Sequence, residues 1–428
     1  MKKVLLLLLL PCVSLLTQED QKVYKFTLKD AEEKFRKNNL LLLAAKFQID
    51  AKRAGELQAK LYANPNIFLE QNVFNDRTDR YFDSTRNGQT VVQIQQLFLL
   101  GGKIDKRTKL AEINTKISQE RFLDILRALK YELRSSFASL YYLRQAVQFY
   151  EQSTDTLRKT VENTEKAYQN RAILQAEVLR IKALLFFLEN EKTDIIVQAK
   201  EQEASLRVLL NDPELSGKVL DPIVDAPTIE SLEVDKIKLR DALSIAIENR
   251  PDLRIAVQSV KAEEANLALQ KANAIPDLAF GPVYNRAGTY IPNYFGFTVQ
   301  MNVPLFDRNQ GNIEAAEKQI LERRSSLENQ RIQAENEVAI DLNRAIEKDR
   351  IYKGFRNTFT EEYKSLSKLM VSNYQKRYLT IIEFADFFET YRNSIIQVLK
   401  LQTERIQAIE RLNYSVGRTI ISIQPEAN

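Results

Sequence analysis

Three carboxylates form the one arrangement in this chain that suggests work on ions. Glu177 and Glu383 occupy matched places in two similar segments 206 residues apart, and Asp386 lies one helical turn beyond Glu383, on its face. Side-chain oxygens of this kind attract cations, and the remaining chemistry is sparse. The chain has no His and a single Cys, Cys12, which removes the usual catalytic bases, the usual transition-metal ligands and any intrachain disulfide. Met301 and Met370 are too few and too separated for a soft-metal relay. No nucleophile, phosphate-loop or metal constellation appears, so the expectation is a protein that is not an enzyme, with no cofactor and no resident metal.

The elements that must position these residues follow from composition and spacing. With 28% charged residues, 11 Gly and 11 Pro in 428, the balance suits long charged helices. The net charge of +5 is spread through interleaved acidic and basic residues, which argues against a nucleic-acid footprint. Met1, Lys2 and Lys3 precede an unbroken apolar run from Val4 to Leu10, the pattern of a secretory signal, expected over residues 1–17. Cleavage near Ser14 or Thr17 is expected. Lipidation of Cys12 is the alternative, against which Leu9, Leu10 and Pro11 are poor matches to the small residues of such a site. Beyond residue 20 no stretch approaches the roughly 20 apolar residues of a spanning helix, so any membrane crossing is made by strands.

The sequence repeats itself. Leu28, Asp30, Ala31 and Asn38 recur as Leu239, Asp241, Ala242 and Asn249 at an offset of 211, and Pro65 recurs as Pro276. Leu97 and Phe98 match Leu305 and Phe306, and YQNR from Tyr168 to Arg171 matches YQKR from Tyr374 to Arg377. This predicts an N-terminal segment over 18–27, a first repeat over 28–211, a linker over 212–238, a second repeat over 239–417 and a tail over 418–428. Each repeat opens with a helix in two pieces, broken at Asn38 and Asn39 in one and at Pro251 in the other. A pair of strands follows, about 66–74 and 89–98 in the first repeat and 278–284 and 294–303 in the second. A helical hairpin then turns near 168–174 or 374–380. Leu126, Leu129, Leu133, Ser136, Leu140, Leu143, Val147, Tyr150, Thr154, Leu157, Val161, Thr164 and Tyr168 alternate at spacings of three and four, the seam of a coiled coil.

The strands alternate at period two. Phe295, Phe297, Val299, Met301 and Val303 share one face; Gly296, Thr298, Gln300 and Asn302 share the other. A half-buried soluble sheet alternates in the same way. If the strands meet lipid, four cannot close a barrel, and several copies must share one; three copies give twelve strands and an aqueous lumen.

NRPDL (Asn249 to Leu253), VPLFDRNQGNI (Val303 to Ile313) and the paired YQNR and YQKR segments resemble the outer-membrane efflux protein family, the TolC-like channels, over nearly the whole mature chain. The VPLFDRNQGN string is similar to the heavy-metal branch, the CzcC-like and CusC-like components. The resemblance implies a mainly α fold with short β segments: a homotrimer with a long coiled-coil periplasmic tunnel and a shared 12-stranded outer-membrane barrel, four strands per chain. It implies a passive conduit from periplasm to exterior for heavy-metal cations, with outer-membrane lipid, a periplasmic adaptor (membrane fusion protein) and an inner-membrane RND-type pump as partners. In that setting Glu177, Glu383 and Asp386 would ring the periplasmic gate, against the plainer reading of a solvated helix surface. Arg171 and Arg377 would lie on tips that contact the adaptor, where the family often carries Gly in a YxxG pattern. Drug efflux or type I protein secretion on the same architecture is the near alternative. A periplasmic coiled-coil scaffold or adaptor is the distant one, and it has no need of duplicated strand pairs.

Overall fold

The computed structural model describes residues 22–287 and 291–423. Cys12, the 1–17 signal and the last residues of the 418–428 tail lie outside them. The first half of the described chain runs β1 (Val23–Thr27), α1 (Leu28–Asn38), α2 (Leu40–Lys60), β2 (Asn66–Gln71), β3 (Phe74–Asn75), β4 (Arg80–Tyr81), β5 (Thr90–Phe98), α3 (Lys103–Gln169) and α4 (Gln175–Leu210). A 3-10 turn at Pro213–Leu215, β6 (Val219–Ile223) and α5 (Ala226–Glu230) lead to α6 (Leu239–Asn249), α7 (Pro251–Asn273), β7 (Leu278–Asn285), β8 (Tyr294–Met301), α8 (Gln310–Gln375) and α9 (Ile381–Val416).

Local chemistry sets the breaks. Asn39 separates α1 from α2 because its side-chain oxygen accepts from the backbone N–H groups of Leu41 and Leu42 at 3.0 and 3.1 Å, capping a new helix. Pro251 opens α7 at the first helical position, where its missing N–H costs nothing. At 67 and 66 residues, α3 and α8 are each about 100 Å long at 1.5 Å per residue.

The chain divides into two compact units, with α3 contributing to both. The first holds the residues up to Phe35 together with Ser136–Val224. Within it, the α3 seam residues Leu140, Thr154 and Leu157 are fully buried. Segments read as an N-terminal stretch and a linker meet here, because β1 and β6 pair in parallel from Val23 with Val219 to Thr27 with Ile223. Phe26 drives this pairing by burying its ring edge-on against Phe137, 5.4 Å between centroids. Lys34 is paired with Asp212.

The second unit holds Arg36–Ser135 and Asp225–Asn428. Here α8 packs along α7 and α9, and Ile113 and Ile117 of α3 bury against Ala262 of α7. Buried ion pairs lock the helices. Arg134 donates to Glu410 at 3.1 Å, and Arg250 donates to Asp252 at 2.7 Å and to the Ser415 carbonyl at 3.0 Å. Burial alone would raise the Asp252 carboxyl, but the Arg250 hydrogen bond and the Arg127 charge hold it below the usual range.

Candidate functional site in the strand sheet and the hairpin tips

Four strands form one antiparallel sheet in the order β2, β5, β7, β8. Its register follows from pairs such as Ile67 with Ile94, Phe98 with Leu278, and Phe280 with Val299. Because cross-strand partners share a face, Ile67, Leu69, Val92, Ile94, Phe98, Leu278, Phe280, Phe297, Val299 and Met301 form one apolar surface. Phe98 stacks on Phe280 at 4.6 Å, and Phe280 contacts Phe297 at 5.7 Å. Ile67, Leu69, Phe297 and Val299 are nevertheless exposed, and Phe295 reaches 79%. Each such side chain left in water forgoes about 1.5–3 kcal/mol of burial, so this face is built to be covered by something apolar.

The opposite face mixes bonded polar side chains with Phe68, Val91, Leu97 and Val283. Gln93 donates to the Thr298 hydroxyl at 3.1 Å, and Gln95 donates to the Gln300 side-chain oxygen at 3.1 Å. Both span β7, which lies between their strands and presents Ala279, Gly281 and Val283 on this face. Gly281 admits no side chain, since a Cβ there would sit 1.9 Å from the Ile94 carbonyl oxygen. Among the described residues β2 and β8 are the sheet edges, with unpaired outer backbone groups. In hydrocarbon an open edge is not tolerated. None of the described helices is long and apolar enough to cross a membrane.

The two helical hairpins close alike. After α3, the Arg171 N–H bonds the Tyr168 carbonyl and the Ala172 N–H bonds the Ala167 carbonyl, both at 2.8 Å; after α8, Arg377 and Tyr378 bond Tyr374 and Asn373 in the same way. This is the Schellman ending, whose left-handed position falls on Arg171 at φ 57° and Arg377 at φ 62°. Both arginines are exposed. Tyr374 stacks on buried Phe384 at 4.7 Å, so it packs the turn, while Tyr168 is exposed.

The carboxylates differ more than their spacing suggested. Glu383 forms a capping box with Thr380 at the start of α9, and the Thr380 backbone N–H and hydroxyl hold its carboxyl below the usual range. Glu177 sits at the equivalent position of α4, but the helix cap there is Leu174, which has no side-chain oxygen. Asp386 is exposed. Glu177 belongs to the first unit, and Glu383 and Asp386 to the second. Among the described residues no group of His, Cys, Asp and Glu could hold a metal ion.

The described elements are thus long helical hairpins and a four-stranded sheet, one face of which is apolar and exposed. Residues 242–417 match the model of the family described as outer membrane efflux protein. It is 21% identical over 315 residues, 71% of its own length and 70% of the relative, to the cobalt-zinc-cadmium resistance protein CzcC of Cupriavidus metallidurans. The fold is similar to that of the Campylobacter jejuni CmeC outer membrane channel, with a TM-score of 0.75, 12% identity and coverage of 92% and 87% of the two chains. It is also similar to that of CusC, at 0.73, 16% identity and coverage of 91% and 92%.

Proposed function

We propose that the chain is the outer-membrane conduit of a tripartite efflux system, passing heavy-metal cations from periplasm to exterior. The carrying observation is the sheet: one apolar face, one face with bonded polar side chains, and two unpaired edges at β2 and β8. Three copies joined edge to edge would give twelve strands with lipid outside and water inside, and would leave no edge open. The recurrence of α1 to α4 in α6 to α9, each with a strand pair between its second and third helices, supports an internal duplication. Likeness to a cobalt-zinc-cadmium resistance protein supports metal cations as cargo. Its partners are a periplasmic adaptor, onto which it docks, and an inner-membrane RND-type pump, which supplies the energy.

Within this reading Arg171 and Arg377 on the hairpin tips meet the adaptor. Glu177 and Asp386 contribute to a cation-favouring periplasmic gate, and Glu383 does so with its carboxylate already engaged by Thr380. Conductance across a planar lipid bilayer, measured on oligomer of known mass, tests the conduit. Discrete steps from a trimer are expected, and a silent monomer would refute it. The cargo is tested by metal content: cells deprived of the chain accumulate cobalt, zinc or cadmium, and unchanged content would remove the metal reading alone.

A further inference from the structure

The segment between β2 and β5 is a built structure. Asp83, 2% exposed, lies at its centre. It accepts from the Thr78 hydroxyl at 2.6 Å, the Thr85 hydroxyl at 2.6 Å, the Thr85 N–H at 2.9 Å and the Asn75 amide at 3.0 Å. These donors hold its carboxyl below the usual range, those of Thr78 and Thr85 first. Gly88 closes the loop where a Cβ would lie 1.6 Å from the Asp83 carbonyl oxygen. On this frame β3 and β4 pair as a short hairpin with the Phe74 and Tyr81 rings 5.0 Å apart.

What the hairpin displays is not explained by packing within the chain. Phe74, Tyr81 and Phe82 are exposed, Phe82 at 63%. Phe82 also has φ 46°, a left-handed conformation that is an outlier for a bulky residue. Arg77, Arg80 and Arg86 are exposed as well. Among the described residues none of the three forms an ion pair, although Asp76 and Asp79 stand beside them in sequence.

We propose that this hairpin is a lipid-headgroup anchor: its aromatic rings seat in the membrane boundary and its three guanidiniums bind the phosphates of anionic lipids. The inference rests on the sheet spanning the outer membrane. One end of β2 and β5 runs into α2 and α3, whose polar surfaces need water, and the other end runs into this hairpin. The strands therefore lead from the apolar stretch, past the bonded Gln71 and Thr90, to the exposed rings at the end where hydrocarbon would give way to headgroups, the depth that aromatic side chains favour. A guanidinium with no internal carboxylate partner is suited to bidentate phosphate binding.

The chain contains no Trp, so Phe82→Trp introduces a single indole, and Tyr81→Trp provides a second reporter if the first disturbs the strained turn. Either variant is reconstituted in phosphatidylcholine vesicles with brominated acyl chains, with and without phosphatidylglycerol, and conductance is recorded on the same preparation. Expected is loss of emission to the bromolipid, deeper with phosphatidylglycerol, with that increment abolished by R77A/R80A/R86A and unaffected by inorganic phosphate. An unquenched indole in a conducting preparation overturns the anchor and points the hairpin at the lumen or a second copy. Quenching that ignores phosphatidylglycerol and the arginines overturns headgroup recognition, as does competition by free phosphate. A preparation without conductance overturns the conduit reading instead.

Discussion

The Glu383 carboxylate reaches back to Thr380, accepting from its backbone N–H at 2.8 Å and its hydroxyl at 2.9 Å, while the Thr380 oxygen accepts from the Glu383 N–H at 3.3 Å. Two of the orphan donors at the start of α9 are thereby satisfied reciprocally. Thr380→Ala is expected to loosen the α8–α9 turn by about 1 kcal/mol. Leu174→Thr is expected to give α4 the box it lacks and tighten the other turn. Amide exchange at the two tips reads both, and equal protection in wild type and T380A would deny the cap its role.

The same contact sets a pH response. Because Thr380 binds the ionised form, the Glu383 carboxyl is held below its ordinary value of about 4.5. A carboxyl depressed in the folded state stabilises it above the unfolded value, and that contribution is lost as pH falls through the folded one. Protection at the α8–α9 turn, taken as exchange relative to the unstructured chain at the same pH, should therefore fall on acidification below about pH 4.5, and E383Q should remove this limb.

Arg171 and Arg377 occupy backbone positions that glycine would fill without penalty, at a left-handed cost of roughly 1–2 kcal/mol for an L residue. R171G and R377G should therefore raise tip stability by a part of that amount while deleting the charges. If the guanidiniums bind the adaptor, export falls in these better-folded variants. Unchanged export in a strain with intact pump and adaptor would reduce both arginines to surface residues.

Arg405 is a fully buried internal clamp. Its Nε and Nη2 both reach the same Asp349 oxygen at 2.7 Å, with the side chains 1% and 3% exposed, and Nη1 holds the Ile229 carbonyl at 2.8 Å. D349N leaves Arg405 buried without a carboxylate and should cost about 3–5 kcal/mol, whereas R405M leaves Asp349 with Lys353 at 2.8 Å and should cost less. The double variant should cost less than the sum. Denaturant midpoints in detergent measure this, and strict additivity would mean the two side chains do not depend on each other.

On the sheet, a charge on the apolar face should cost far more than one on the opposite face. Val299→Lys is expected to lose about 2–4 kcal/mol at mid-membrane depth, whereas Gln300→Lys, one residue away, should assemble normally. The yield of oligomer extracted from the outer membrane distinguishes them, and similar yields would assign the apolar face to a water-covered sheet.

The long helices were legible because nothing interrupts them: no Gly or Pro falls between Lys103 and Asn211, where a left-handed cap ends α4. The strands were legible from the alternation between Phe295 and Val303, and the α1–α2 break from Asn39. The β1–β6 pairing was not, since each strand is five residues long and nearly two hundred residues separate them. Nor could sequence say which of 62 basic and 57 acidic side chains are buried, so Arg405, Arg134 and Glu410 looked like any others. The matched glutamates illustrate the limit best. Spacing made Glu177 and Glu383 equivalent, and one neighbour, Leu174 against Thr380, makes them different.

The face of the sheet away from the apolar surface holds a further consequence. Gln93 and Gln95 spend donors on Thr298 and Gln300, across a strand kept low by Gly281. These bonds use amide N–H groups, whereas a cation meets side-chain oxygens, so their effect is to fix where the Gln93 and Gln95 amides stand. In the proposed conduit this face would line the water path with amides held in place by the neighbouring strands, a wall of constant shape rather than one of swinging side chains.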